Sequence, residues 1–191
     1  MRTGIVASVL FLLVGVLAPV AARSEAQRGR ESSAFRLTSR DVTSTFAPAQ
    51  IFNGFGCSGG NVSPQLSWSG APAATKSFAL TVFDPDAPTG SGWWHWVVVN
   101  IPASTTELPG GASGHGTMPA GAVETRTDFG QSGYGGPCPP AGARAHRYVF
   151  TLYALKVDRL DLDAQASGAL ASFTIRQNSL ATASFTATYG R

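Results

Sequence analysis

The chain has 191 residues, 43% of them hydrophobic and only 13% charged, with a formal net charge of +3. That length and apolar content suit one compact domain with a real core. The sparse positive charge forms no Lys/Arg cluster and gives a nucleic-acid interface no support, while 22 glycines and 12 prolines point to many turns and a β-rich fold.

Residues 1–22 read as a signal peptide. Arg2 supplies a positive start, Ile5 to Leu17 is an apolar run, and Val20-Ala21-Ala22 offers small residues for cleavage after Ala22. The run is too short for a stable membrane span. The polar segment 23–33 (RSEAQRGRESS) is expected to be a flexible leader, and 34–191 the folded domain, periplasmic or secreted and without a transmembrane segment in its mature form. Export places the two cysteines, Cys57 and Cys138, in an oxidising compartment where they are expected to pair; the alternative is two buried free thiols.

Phe35 to Ser39 alternates as a first strand. Ile51 to Gly60 is a glycine-rich loop, and Asn61 to Trp68 leads into a second strand. Ser77 to Asp84 is a strand with Phe78, Leu80 and Val82 on one face. A hairpin follows, whose return strand begins near Trp93. Strict alternation would put Trp93, His95 and Val97 on one face and Trp94, Trp96 and Val98 on the other. Residues 103–123 read as an irregular loop, Glu124 to Asp128 as a short edge strand, Gly130 to Gly142 as loop and Arg147 to Lys156 as a strand. Asp163 to Phe173 suits a short helix opened by an acidic turn, and Leu180 to Tyr189 a closing strand. With no βαβ rhythm, the reading is all-β: two antiparallel sheets packed as a sandwich, with one or two short helices.

Two stretches carry chemistry. The first, Asp84 to Pro102, joins a rigid acidic turn (Asp84-Pro85-Asp86) to three tryptophans and a histidine within Trp93-Trp94-His95-Trp96. The second, Gly133 to Tyr148, is a proline-stiffened loop (Pro137, Pro139 and Pro140 around Cys138) entering a strand with His146 and Tyr148 on one face and Arg147 on the other. Histidine, tyrosine and loop amides are donors, and donors converging on a dry cavity suit a phosphate or carboxylate group. Asp84 is out of place beside an anion unless it orients a histidine or meets a ligand amine. Arg147 is expected to pair with Asp86 and fix the turn. A metal reading of Asp84, Asp86, His95 and His146 competes, but lacks the close ligand spacing of zinc sites. Gly56-Cys57-Ser58-Gly59-Gly60 matches a nucleophile elbow in letters only, without the strand before it or the helix after it. Asn61-Val62-Ser63 fits a glycosylation sequon and is read as an ordinary capped turn.

Together the DPDAP turn with its WxHW-type strand (Asp84–Pro88, Trp93–Trp96), the loop Gly136–Tyr148 and the NxSPxLxW stretch at Asn61–Trp68 resemble the phosphatidylethanolamine-binding protein (PEBP) family. Within it they are most similar to the bacterial Raf-kinase-inhibitor-like YbhB/YbcL branch. The resemblance implies a PEBP-like β-sandwich over about Phe35 to Tyr189. It also implies a surface pocket built from Asp84, Trp93, His95, Pro139, Pro140, His146 and Tyr148, with Asp86 and Arg147 structural. It implies binding of phosphate-like or carboxylate small ligands, no cofactor, and no enzymatic turnover. A protein partner that the chain inhibits, of protease or kinase type, is the second expectation, and a cryptic hydrolase on the Asp/His cluster the third. A homodimer is compatible with the weakly charged composition. The sequence shows no helix after its last strand, so the gating that such a helix gives mammalian relatives is not expected.

Overall fold

The computed structural model describes Met1 and residues 34–191; the signal peptide and leader expected over 1–33 lie outside the described residues. A five-stranded antiparallel sheet forms the centre, in the order β10 (Ser179–Tyr189), β9 (His146–Leu155), β5 (Ser77–Asp84), β6 (Trp93–Pro102), β8 (Val123–Glu124). A three-stranded sheet of β1 (Arg36–Thr38), β4 (Leu66–Ser69) and β7 (Glu107–Leu108) lies across one face. Between them sits the main core, in which Leu37, Leu66, Trp68 and Leu108 meet Phe78, Leu80, Val82, Tyr148, Phe150 and Leu152. On the other face, Ala79, Val97, Val99, Tyr153 and Leu155 are covered by Leu160, Leu162 and Ala166 and by the helix α1 (Gly168–Asn178) through Ala171 and Ile175. A central sheet buried on both faces explains why β5, β6 and β9 read as nearly unbroken apolar runs.

Three expectations are corrected. The helix begins at Gly168, capped by Ser167 whose Oγ accepts from the Leu170 amide at 3.3 Å, and has no acidic first turn. Asp163 sits earlier, where its carboxylate accepts from the Gln165 and Ala166 amides at 2.8 and 3.1 Å and forms a separate turn. The glycine-rich loop at 51–60 contains a small hairpin, β2 (Asn53–Gly54) and β3 (Cys57–Ser58). Finally, alternation fails along β6. Val82 pairs with Trp96 but Phe83 pairs with Trp94, so His95 is an extra residue in a β-bulge. His95 and Trp96 then both lie on the main-core side, the His95 ring 5.0 Å from Tyr148. Val97 joins Trp94 on the helix side, instead of sharing a face with Trp93 and His95. A second bulge at Val99–Asn100 uses Asn100 at φ +60°, its amide bridging the Leu160 N–H and C=O.

Candidate functional site

A cavity of about 170 Å³ opens at the Asp84 end of the central sheet. The structure brings all seven residues of the candidate ligand set into its lining. Asp84, Trp93 and His95 come from the β5–β6 hairpin. Pro139 and Pro140 come from the proline loop, and His146 and Tyr148 from the start of β9.

Each polar group is held by a particular partner. His95 is 4% exposed, and its Nδ1–H donates to the Gly135 carbonyl at 2.7 Å. The Gly135 amide donates back to the His95 carbonyl at 2.8 Å, so the bulge is latched to the loop by two bonds. His146, 5% exposed, donates Nδ1–H to Asp84 Oδ2 at 2.7 Å, and the other Asp84 oxygen accepts from the Asp86 amide at 2.8 Å. Asp84 therefore orients a histidine. Both imidazoles are tied to the protein through Nδ1, which leaves Nε2 of each for the cavity. The Tyr148 hydroxyl is buried with no hydrogen-bond partner among the described residues. Burial, then the Asp84 charge, push its pKa well above the ordinary phenol value, so it stays an O–H donor.

Burial pulls the His95 pKa down from 6.5 to about 4, against the smaller opposing effects of the Gly135 carbonyl and the Asp84 charge. The unfolded chain takes up this proton below pH 6.5 while the folded chain does not until near pH 4. Folding stability from this group is therefore present above 6.5 and lost as the pH falls between those values. The gap corresponds to about 3 kcal/mol. Urea unfolding of the ligand-free protein from pH 7 to 4 is expected to show this loss. His95→Gln, which can still donate to Gly135, is expected to flatten that part of the curve. An identical pH profile in the variant would mean that His95 takes up its proton in the native pocket as readily as in the unfolded chain.

Asp86 turns away from the cavity. Its carboxylate is only 5% exposed because two guanidinia cover it. Arg147 binds it through Nε and Nη2, each at 2.9 Å, with its backbone amide also at 2.9 Å, and Arg144 adds a contact at 3.1 Å. The Arg147 hydrogen bonds hold the Asp86 carboxyl well below the usual carboxylate range. With Asp86 so engaged and Asp84 bonded to His146, the four residues of the metal reading do not form a ligand set. Among the described residues no group of three or more His, Cys, Asp or Glu is placed to hold a metal ion. No helix of the described residues is long and apolar enough to cross a membrane.

Several contributors were not read from the sequence. Asn61, in the sequon, adopts φ +51° and reaches the proline loop, accepting from the Gly136 amide at 2.8 Å and donating to the Tyr134 carbonyl at 3.3 Å. Gly136 must be glycine, since a Cβ there would collide with the Gln50 carbonyl. Phe129 packs edge-on against both Trp93 and His95, each at 5.4 Å, and lies beside Phe55, whose ring stands at the mouth 68% exposed. The Cys57–Cys138 disulfide, which was expected from the sequence, joins the Phe55 hairpin to the proline loop. The only available signal was the odd placement of aromatic residues in glycine-rich segments. The resulting site is a small, mostly apolar-walled cavity lined by two imidazoles, the Asp84 carboxylate and Tyr148, whose hydroxyl has no partner among the described residues.

A family model described as phosphatidylethanolamine-binding protein matches residues 42–190. Protein YbcL of Escherichia coli is 51% identical over 163 residues, covering 83% of this chain and 89% of its own. Protein YbhB of the same organism is 56% identical over 140 residues, covering 73% and 88%. The crystal structure of E. coli YbcL, described as a new member of the mammalian PEBP family, superposes with a TM-score of 0.80 at 50% identity. It covers 82% of this chain and 98% of that one.

Proposed function

The chain belongs to the phosphatidylethanolamine-binding protein family, and from that premise we propose that it is an exported binding protein for small anionic, phosphoryl-type ligands. One observation carries the reading: two imidazoles tethered through Nδ1 and Tyr148, whose buried hydroxyl has no partner among the described residues, line one cavity. A buried polar group without a partner is costly in a native fold. A ligand oxygen that accepts from Tyr148 would relieve that cost. A phosphoryl oxygen would also favour the protonated, donating form of His95, offsetting the burial that disfavours it in the free pocket. The apolar walls lower the local dielectric and strengthen each of these bonds. The disulfide and the N-terminal segment support an oxidising compartment.

A few charge-assisted bonds at an open site correspond to affinities on the order of millimolar to micromolar. The test is a titration of the mature, oxidised protein with inorganic phosphate and phosphoethanolamine, following the histidine ring protons by NMR. Saturable movement of the His95 and His146 signals is expected. His95→Ala combined with His146→Ala is expected to abolish it while the sheet resonances stay in place. Undiminished phosphate affinity in that double variant would sink the assignment. Silence of both rings in the wild-type protein would shift attention to a protein partner at the exposed Phe55 rim.

A further inference from the structure

The entrance of the cavity is built from two segments far apart in sequence: the hairpin tip at Phe55 and the proline lip at Pro137–Pro140. Arg191 bridges them. Its Nε donates to the Pro139 carbonyl at 2.7 Å, Nη1 to the Gly56 carbonyl at 2.8 Å and Nη2 to the Phe55 carbonyl at 3.1 Å. Its backbone oxygen accepts from the Gly142 amide at 3.0 Å. Three carbonyls thus use one planar, fork-shaped cation, a geometry that guanidinium fits and ammonium does not. Among the described residues no carboxylate pairs with it. The hairpin tip is strained to present those carbonyls. Phe55, a bulky residue, sits at φ +51° and Gly56 at φ +82°. A Cβ on Gly56 would come within 3.3 Å of Arg191 Nη1, so the cradle is shaped around the guanidinium.

We propose that Arg191 is a positioning residue that holds the Phe55 hairpin onto the proline lip and so sets the width of the pocket entrance. Its effect on ligands rests on the reading of the pocket as an anion site. Its effect on the rim does not. The disulfide between the same two segments is an independent second tie, as is the Phe52 amide bonded to the Pro137 carbonyl at 3.2 Å.

The experiment uses the oxidised mature protein, Arg191→Ala and Arg191→Lys. Two rim readouts need no ligand: the rate at which dithiothreitol reduces Cys57–Cys138, and hydrogen exchange at the Phe52 amide. Both are expected to rise about tenfold in Arg191→Ala and by an intermediate factor in Arg191→Lys. Methylguanidinium should restore them toward wild type in the alanine variant, while exchange at Phe150 in the sheet stays unchanged. Inorganic phosphate should dissociate several-fold faster from Arg191→Ala. Unchanged rim rates overturn the proposal, as does an increase that extends equally to Phe150, which would mark general destabilisation. If the wild-type protein does bind phosphate and Arg191→Ala, with a loosened rim, binds and releases it equally, the proposal is also overturned, because the tie would then not set the width of the entrance that the ligand passes. If the wild-type protein binds no phosphate but the rim rates change and are rescued, the anion reading falls and the positioning role stands.

Discussion

Asp84→Ala is expected to destabilise the protein by about 3–5 kcal/mol, the usual cost of removing one partner from a buried ionisable pair. Asp84 is 3% exposed and satisfies two buried donors at once, the His146 ring and the Asp86 amide. Alanine leaves both without that acceptor. The Asp84→Asn variant separates charge from shape. Its side-chain oxygen can still serve the Asp86 amide, while its NH₂ forces His146 to accept at Nδ1 and carry its proton on Nε2. That variant should lose less stability and fix a donor, Nε2–H of His146, toward the cavity. Urea unfolding monitored by tryptophan fluorescence measures the first effect and His146 ring NMR the second. A loss under about 1 kcal/mol for the alanine variant would show that solvent reaches the pair and screens it.

Removal of the disulfide is the other large effect. Cys57 and Cys138 are 81 residues apart, and closing a loop of that length restricts the unfolded chain by about 4–5 kcal/mol in the chain-entropy treatment. For a domain of this size that corresponds to a Tm lower by roughly 10–15 °C. Cys57→Ala with Cys138→Ala, compared with wild type by calorimetry under oxidising conditions, checks it. Under reducing conditions the difference should nearly vanish. A double variant as stable as oxidised wild type would mean that the other contacts between hairpin and lip already fix this loop, leaving the bond redundant.

Legibility of the fold followed the range of the forces involved. The strands β5, β6, β9 and β10 are long and apolar or alternating over most of their length, so the sequence shows their extents nearly residue for residue, though not the bulges in β6. The two-residue strands β2, β3 and β7 exist because a partner strand lies alongside, and nothing within two residues encodes that; the edge strand expected at Glu124–Asp128 is present but shorter and shifted, as β8 over Val123–Glu124. The helix was displaced because Asp163 and Ser167 are both credible caps, and only packing on the sheet decides between them. The seven candidate pocket residues were legible because two dense motifs carry them. Asn61 and Arg191 were not. Asn61 meets Gly136 across 75 positions, and Arg191 meets Pro139 across 52 and Gly56 across 135. A surface-type polar residue discloses no such contact in its own neighbourhood.

The surplus residue at His95 also limits how this pocket can be copied. A regular strand gives each wall of a sheet every second side chain, so a position facing the ligand is normally one the core must give up. Here one strand serves both claims with adjacent residues, His95 for the cavity and Trp96 for the interior. No pattern of point substitutions on a regular hairpin reproduces that. Transplanting the site to another scaffold calls for a change of chain length, one residue inserted opposite an unaltered neighbour. Conversely, a one-residue deletion there would leave a tidier strand and an intact sheet, with no histidine turned toward the cavity.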